Sequence, residues 1–183
     1  MIKWVIIGIV VLLAVIVIGM YNGFIRSKND CEEAFSTMDV YLKKRYDLIP
    51  NLVETVKGYA AHEKETFEKL TLARTRAMEA VTADEKVAVE PQVQQGLKNL
   101  FAVAENYPEL KANQNFLDLQ NQLQSVENDI ANSRKYYNAT VKTFNNKCEV
   151  FPSNILAGIF GFKKKAMFEV AGQEERENVK VQF

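Results

Sequence analysis

Residues 39–63 read DVYLKKRYDLIPNLVETVKGYAAHE and lie within the longest seam of apolar residues beyond the amino-terminal segment. The seam advances alternately by four and three residues. Its members are Cys31, Phe35, Met38, Leu42, Arg45, Ile49, Leu52, Val56 and Tyr59. A repeat of about 3.5 residues is typical of helices that pack side by side over several turns. The sequence therefore predicts one long helix here, with a partner helix along the seam.

Two residues of this helix depart from the pattern. Arg45 is the one seam member that is not apolar, and we interpret it as a structural ion pair or a side chain reaching solvent rather than a ligand-binding residue. Pro50 cannot donate to the carbonyl of Tyr46, which costs about 3 kcal/mol in an ordinary helix interior. Because the seam continues in register beyond Pro50, we expect a bend at residues 46–50, and a true break is the alternative.

The amino-terminal segment has the composition of a membrane anchor. Residues 4–21 contain no charged or strongly polar side chain, and a helix of that length spans about 27 Å, enough to cross a bilayer. A cleaved signal peptide is the alternative, but residues 20–22 offer no small-x-small cleavage site. We expect an uncleaved anchor that includes Leu12, with Trp4 and Tyr21 at the two membrane interfaces.

Three further apolar stripes predict three further helices. The stripe of the second helix consists of Phe67, Leu70, Arg74, Ala77 and Val81. The stripe of the third consists of Val93, Leu97, Leu100 and Ala104. The stripe of the fourth consists of Phe116, Leu119, Leu123, Val126, Ile130, Tyr137, Val141, Phe144 and Cys148. Thr82 and Glu85 have the spacing of a capping box, which permits a helix start near Ala83. Pro91 suits a first helical turn. The dipeptide Tyr107-Pro108 should end the third helix.

The predicted fold is therefore all-α. A transmembrane helix is followed by an antiparallel bundle of about four helices, of which the first and fourth are long and the other two short. The predicted divisions are an anchor at residues 4–21, a helical domain at residues 24–165 and a carboxy-terminal tail at residues 166–183. The end of the tail, residues 172–183, suits a flexible segment or an edge strand for a partner.

A short apolar segment follows the dipeptide Phe151-Pro152, which should stop the fourth helix. It contains Ile155, Leu156, Ile159, Phe160 and Phe162, followed by Lys163, Lys164 and Lys165. Because the fourth helix returns the distance that the first ascends, this segment should lie near the membrane. Its apolar side chains, with Ile159, Phe160 and Phe162 foremost, then meet the headgroup region, and its lysines meet anionic lipid. A core-covering segment with solvated lysines is the alternative.

The sequence offers no pattern for catalysis or for a cofactor. Its formal net charge is zero, which gives no basic surface for nucleic acid. The single histidine, His62, stands in HEKE rather than HExxH, and no phosphate-binding glycine loop is present. The two cysteines have no metal-ligand spacing. We therefore predict no catalytic residue, no metal, no cofactor and no nucleic-acid partner.

Three segments, DLIPNLVETVKGYAAHE at residues 47–63, ENYPELKAN at 105–113 and FPSNILAGIFGFKKK at 151–165, resemble the signature segments of the LemA family. The resemblance runs over nearly the whole chain. It implies a protein of the bacterial inner membrane or cell membrane, with one amino-terminal span and an antiparallel helical domain. It implies no catalytic residue. It suggests partners in membrane quality control, including zinc membrane proteases, and a connection of some members with bacterial membrane organelles.

These observations favour a membrane-anchored scaffold or adaptor that self-associates or binds a membrane protein. The long seam and the anchor glycines Gly8 and Gly19 favour a homo-oligomer. A membrane-shaping protein that contacts lipid through residues 151–165 is the alternative, and an enzyme or small-ligand receptor is a third class. Arg26 and Lys28 follow the span whereas only Lys3 precedes it, so the orientation leans toward a cytoplasmic helical domain.

Overall fold

The computed structural model describes residues 1–168, and this range contains helices and no strand. The helices are α1 (Ile2–Lys57), α2 (Lys64–Glu79), α3 (Ala83–Glu105), α4 (Pro108–Lys111), α5 (Gln114–Glu149) and α6 (Ser153–Phe160). The predicted all-α fold is confirmed, with two long bundle helices, α1 and α5, and two shorter ones, α2 and α3, and the apolar amino-terminal segment is the first part of α1. The short helices α4 and α6 are additions to that prediction.

Helices α1 and α5 are antiparallel, and their bundle ends match. Near the end of α5, Lys147 Nζ donates a hydrogen bond to the backbone oxygen of Gly23 at 2.8 Å. At the opposite end, the side chain of Asn113, which caps α5, donates to the hydroxyl of Tyr59 at 2.9 Å. The apolar segment at residues 4–21 therefore continues α1 beyond the bundle, at the end where α5 finishes. We call this end of the bundle proximal and the other end distal.

The α2–α3 hairpin covers only the distal half of the α1–α5 pair. Lys86, in the first turns of α3, forms an ion pair with Asp39 of α1 at 2.9 Å and donates to the carbonyl of Ala77 at 3.2 Å. Asp39 lies sixteen residues beyond Gly23, or about 24 Å along the helix axis. The proximal half of the bundle is thus left with only two long helices.

Residues 162–168, which we call the strap, fill the proximal half. The Phe162 ring stacks on Phe24 of α1, with centroids 4.6 Å apart and an interplanar angle of 7°. The Asn145 side chain exchanges two hydrogen bonds of 2.9 Å with the backbone of Lys165, and Asn138 holds the backbone of Phe168 in the same way at 2.8 and 2.9 Å. The strap therefore runs along α5 from the proximal end toward the middle.

This packing corrects the predicted start of the tail. Residues 166–168 were assigned to the tail, but Phe168 is buried and its ring lies edge-on to Tyr137 at 5.5 Å. Residues 166–168 belong to the bundle because the Asn138 side chain of α5 both donates to and accepts from the Phe168 backbone. The remainder of the predicted tail, including residues 172–183, lies outside the described residues.

The apolar stripes occupy the core largely as expected. Most of the α1 seam is buried, namely Cys31, Met38, Leu42, Arg45, Ile49, Leu52 and Val56, and Phe35 is half-buried. The α3 stripe is also buried, namely Val93, Leu97, Leu100 and Ala104. The expectation for Val81 is wrong: α2 ends at Glu79, and Val81 is 80% exposed. The expectation that Pro91 lies in a first helical turn is also wrong. The Thr82 and Glu85 capping box begins α3 earlier, so Pro91 lies inside the helix.

Helix α1 passes through Pro50 without a break. Proline leaves the carbonyl of Tyr46 without its helical donor. Arg74 of α2 replaces that donor, since its Nε–H bonds to the Tyr46 oxygen at 2.7 Å. The alternative of a break is therefore wrong, and the bend stays a prediction. The α1–α2 contact supplies from another helix the hydrogen bond that the local sequence removes.

The first prediction tests this substitute hydrogen bond. Arg74→Met should lower the free energy of unfolding by about 1–3 kcal/mol, because a partly buried carbonyl loses its partner. In a Pro50→Ala background the new amide at position 50 restores the helical donor, so the same change should cost less. A double-mutant cycle by chemical denaturation in one detergent measures the difference. Equal losses in both backgrounds would show that Arg74 acts through packing or charge instead.

Helices α2 and α3 approach most closely at Gly96. A Cβ at this position would lie 2.9 Å from Leu70 Cδ1 and 3.3 Å from Leu70 Cα. The first contact is with a flexible side chain, but the second is with the backbone of α2, which moves only with its helix. A larger residue here would therefore force the Leu70 side chain to move and α2 to shift slightly away from α3.

The second prediction follows from this contact. Gly96→Ala should lower the thermal midpoint by roughly 2–4 °C, because overpacking of about 1–3 kcal/mol exceeds the gain of about 1 kcal/mol in helix propensity. Gly58→Ala is the matched control, since Gly58 is in the right-handed helical region and its added Cβ meets the Thr55 oxygen at 3.5 Å. Circular dichroism should show an unchanged or raised midpoint for the control. An unchanged midpoint for Gly96→Ala contradicts the assignment.

Candidate functional site

The buried charges of the bundle converge on Arg45. Its side chain is 1% exposed, and its guanidinium binds Glu90 of α3 and, at 3.2 Å, Glu127 Oε1 of α5. The hydroxyl group of Tyr46, the next residue, donates a hydrogen bond to the other carboxylate oxygen of Glu90. The predicted structural ion pair at Arg45 is confirmed, and it joins three helices.

The charge states of this cluster are fixed by its neighbours. Burial acts to lower the pKa of Arg45, but Glu90 and Glu127 outweigh that effect and raise the pKa above its usual value. Burial, followed by the charge of Glu90, raises the pKa of the Tyr46 hydroxyl far above its ordinary range. Arg45 therefore stays cationic at neutral pH, and Tyr46 stays a hydrogen-bond donor.

Two more cationic side chains, Lys86 and Arg134, lie beside the cluster. The Lys86 ammonium lies 5.2 Å from the centre of the Tyr46 ring, in addition to its ion pair with Asp39. Burial and then the charge of Arg45 lower the pKa of Arg134 on α5. The Arg134 guanidinium lies over the Phe168 ring at 5.8 Å, so the strap reaches the edge of the charged cluster.

A cleft between α3 and α5 opens beside the cluster, with a volume of about 380 Å³. It is lined by Gln94, Leu97 and Phe101 of α3 and by Gln120, Leu123, Gln124 and Glu127 of α5. Glu127 is shared, because it also pairs with Arg45. The cleft combines amide side chains with an apolar floor and holds no pairing of a nucleophile with a base.

The buried charges of the cluster are paired with one another across helices. Each carboxylate that contacts Arg45 is engaged in an ion pair. His62 is exposed in the turn between α1 and α2. Among the described residues, no group of three His, Cys, Asp or Glu side chains is placed to hold a metal ion. In this cluster the positive charge of Arg45 on α1 is balanced by the negative charges of Glu90 on α3 and Glu127 on α5.

The partners of Arg45 were missed by the sequence reasoning, although a signal existed. Extending the α3 stripe backward from Val93 by three and then four residues reaches Glu90 and Lys86. Both are buried charged residues on an apolar face. A charge at a stripe position on one helix, as with Arg45, is a reason to look for the opposite charge at a stripe position on another.

A second candidate site lies at the proximal end, where α6 meets α1. The Phe160 ring is 4.8 Å from that of Tyr21, the last residue of the predicted anchor. The large apolar side chains exposed in this region are Val150, Phe151, Ile155, Ile159 and Phe160. We call these five residues the foot. They form the part of the bundle nearest to the apolar end of α1.

The structure divides the predicted lipid-proximal residues into two groups. Ile159 and Phe160 are exposed, as a lipid contact requires, but Phe162 is half-buried against Phe24, and Leu156 is buried. These last two residues complete the proximal core, and Phe162 also lies 6.0 Å from the Tyr21 ring. The core-covering alternative accounts for them.

The lysines divide in the same way. Lys164 pairs with Glu149 of α5, and this contact raises the pKa of Lys164. Lys165 is half-buried in the strap, and Lys163 is exposed. The run Lys163–Lys165 is therefore not a set of three equivalent cations at the surface.

Of the predicted anchor residues, Trp4 and Leu12 lie outside the bundle, and Tyr21 lies at its proximal edge against Phe160. Trp4, Leu12 and Tyr21 are exposed, and none of the eighteen-residue apolar window of α1 is buried. That window has a mean hydropathy of 2.9, and within residues 1–168 α1 is the one helix long and apolar enough to cross a membrane. The placement of Trp4 and Tyr21 at the membrane interfaces stays a prediction.

The third prediction concerns the buried charges. Arg45→Met should lower the free energy of unfolding by about 3–5 kcal/mol, because Glu90 is left buried with an unpaired charge. Arg45→Met combined with Glu90→Gln should recover part of the loss, since the amide oxygen still accepts from Tyr46. The control Lys43→Met removes an exposed pair with Asp47 and should change stability by less than about 1 kcal/mol. Chemical denaturation measures all three, and equal effects of Arg45→Met and Lys43→Met contradict the prediction.

Comparisons with known proteins identify the family. The chain matches the LemA family model over residues 34–183. Magnetosome protein MamQ 1 of Paramagnetospirillum magneticum is 28% identical over 175 residues, covering 81% of this chain and 64% of the relative, so this chain spans less than two thirds of that protein. Protein LemA of Metamycoplasma hominis is 26% identical over 163 residues, covering 88% of this chain and 74% of the relative. Since the family model matches most of the chain and α1 supplies an apolar span, this membrane-associated helical protein belongs to the LemA family.

Proposed function

We propose that this protein is a membrane-anchored helical scaffold, which acts by self-association and by binding a membrane partner. The observation that carries the proposal is the continuity of α1, which extends from Ile2 to Lys57 as one helix. A helix of this length is semi-rigid, so the anchor and the bundle are coupled without a flexible linker. Such coupling suits a protein that holds binding surfaces at a fixed height above a membrane.

The anchor itself supports self-association. Gly8 and Gly19 are eleven residues apart, about three helical turns, and therefore share one face of α1. A Cβ at either position would meet no heavy atom within 4 Å. Small residues on one face of a membrane span permit close approach of a second helix.

We further propose a location in the bacterial inner membrane or cell membrane, with the helical domain in the cytoplasm. Arg26 and Lys28 are exposed on the bundle side of the span, and basic residues favour the cytoplasmic side. A membrane protease or another membrane protein is the partner class that the family resemblance suggests. The MamQ relatives are named magnetosome proteins, and the family resemblance connects some members with bacterial membrane organelles, which supports a role at a bacterial membrane.

Membrane shaping is the second candidate function, and the exposed apolar side chains of the foot favour it. The foot of one copy exposes five apolar side chains, which would lie at one bilayer surface. Many copies would have to act together to change curvature, so this role also depends on self-association.

The fourth prediction tests self-association with the full chain in nanodiscs and in several mild detergents. The wild-type protein should form a discrete oligomer by light scattering. Gly8→Leu combined with Gly19→Leu should shift it toward the monomer, because the bulky side chains separate the spans.

Ala14→Leu is the matched control, since Ala14 is also small but lies on another face of α1. It should leave the oligomer unchanged. A monodisperse wild-type monomer in all of these media contradicts self-association.

A further inference from the structure

The foot lies at the axial level where the apolar segment of α1 ends. Phe160 contacts Tyr21, and Lys147, near the end of α5, reaches Gly23 and Ser27. A bilayer that holds residues 4–21 therefore has its headgroup region at the level of α6.

Helix α6 is apolar on two sides. Leu156 and Ala157 face the core and are buried, whereas Ile155 and Ile159 are 54% and 69% exposed. Ile155 and Ile159 are four residues apart and so share one face of the helix. A helix that only covers the core needs one apolar face, so the second face calls for an apolar environment of its own.

The exposed foot is continuous with the apolar surface of the anchor. Phe151 is 75% exposed beside the end of α5, and Phe160 joins the foot to Tyr21 through ring contact. A lipid surface that surrounds α1 would therefore extend onto the second face of α6.

Charge contributes little to this contact. Lys164 is paired with Glu149, and the Lys165 backbone is held by Asn145 in the strap. Lys163 is the exposed member of the three for which no ion pair occurs within residues 1–168. Binding to lipid should therefore follow the apolar side chains rather than the anionic lipid content.

We propose that the exposed face of α6 enters the headgroup layer of the same bilayer that α1 crosses and makes a second, apolar membrane contact. Helices of this kind bury their apolar face about 5–10 Å into the boundary between headgroups and acyl chains. The contact concerns each copy by itself and does not depend on self-association.

The fifth prediction tests the contact with the full chain in nanodiscs. Trp4 is the single tryptophan of the chain, so Trp4→Phe provides a background without indole fluorescence. Ile155→Trp then places a probe on α6, and Val40→Trp on α1 is the matched control, since both wild-type side chains are 54% exposed. Val40 lies nineteen residues beyond Tyr21, about 28 Å farther along the axis.

The α6 probe should show blue-shifted emission and strong quenching by lipids brominated near the headgroup end of the acyl chain. The Val40→Trp control should show neither effect. Both results should persist in zwitterionic nanodiscs. Emission from Ile155→Trp that matches the control overturns the proposal, and so does quenching confined to anionic nanodiscs, because charge would then draw the segment to the surface.

Discussion

The pairing of α1 with α5 is the contact on which the other elements depend. Each helix presents one long apolar stripe, and two helices alone leave the sides of those stripes open to water. The α2–α3 hairpin covers the distal half, where Lys86 meets Asp39. The hairpin does not extend beyond this ion pair toward the membrane end, so another element must cover the apolar stripes of the proximal half. The strap provides it, with Phe162 stacked on Phe24 and edge-on to Phe144.

The buried cluster around Arg45 lies where these coverings meet. Removing ions from water costs several kcal/mol for each ion, and only complete pairing offsets that cost. Heptad stripes tolerate sliding by one repeat, because apolar side chains replace one another at the interface. The ion pairs of Glu90 and Glu127 prevent such sliding, because a shift of α3 or α5 by one repeat would leave Arg45 unpaired in the core. The cluster therefore contributes specificity of register more than net stability.

Much of the fold could be predicted because the stripes are regular and local. Periodicity places the four bundle helices, and Arg45 on the seam indicates an ion pair before any partner is known. Local patterns fail where two of them compete or where distant contacts decide the outcome. Pro91 resembles a helix start, but the Thr82 capping box begins the helix earlier. The pattern at residues 155–165 does not reveal that Phe162 turns toward Phe24, since that depends on an uncovered space between two helices far apart in sequence.

The continuity of α1 and the position of the foot together determine which surfaces are available at each height. A single membrane span leaves the bundle free to tilt in any direction, whereas the proposed second contact beside that span favours one direction of tilt. Arg45 lies twenty-four residues beyond Tyr21, about 36 Å along the axis, and the α3–α5 cleft opens beside it. A partner that engages the α3–α5 cleft therefore needs a domain that extends about this far along α1. A partner confined to the membrane meets only the span and the foot, so the two kinds of partner contact different residues of this chain.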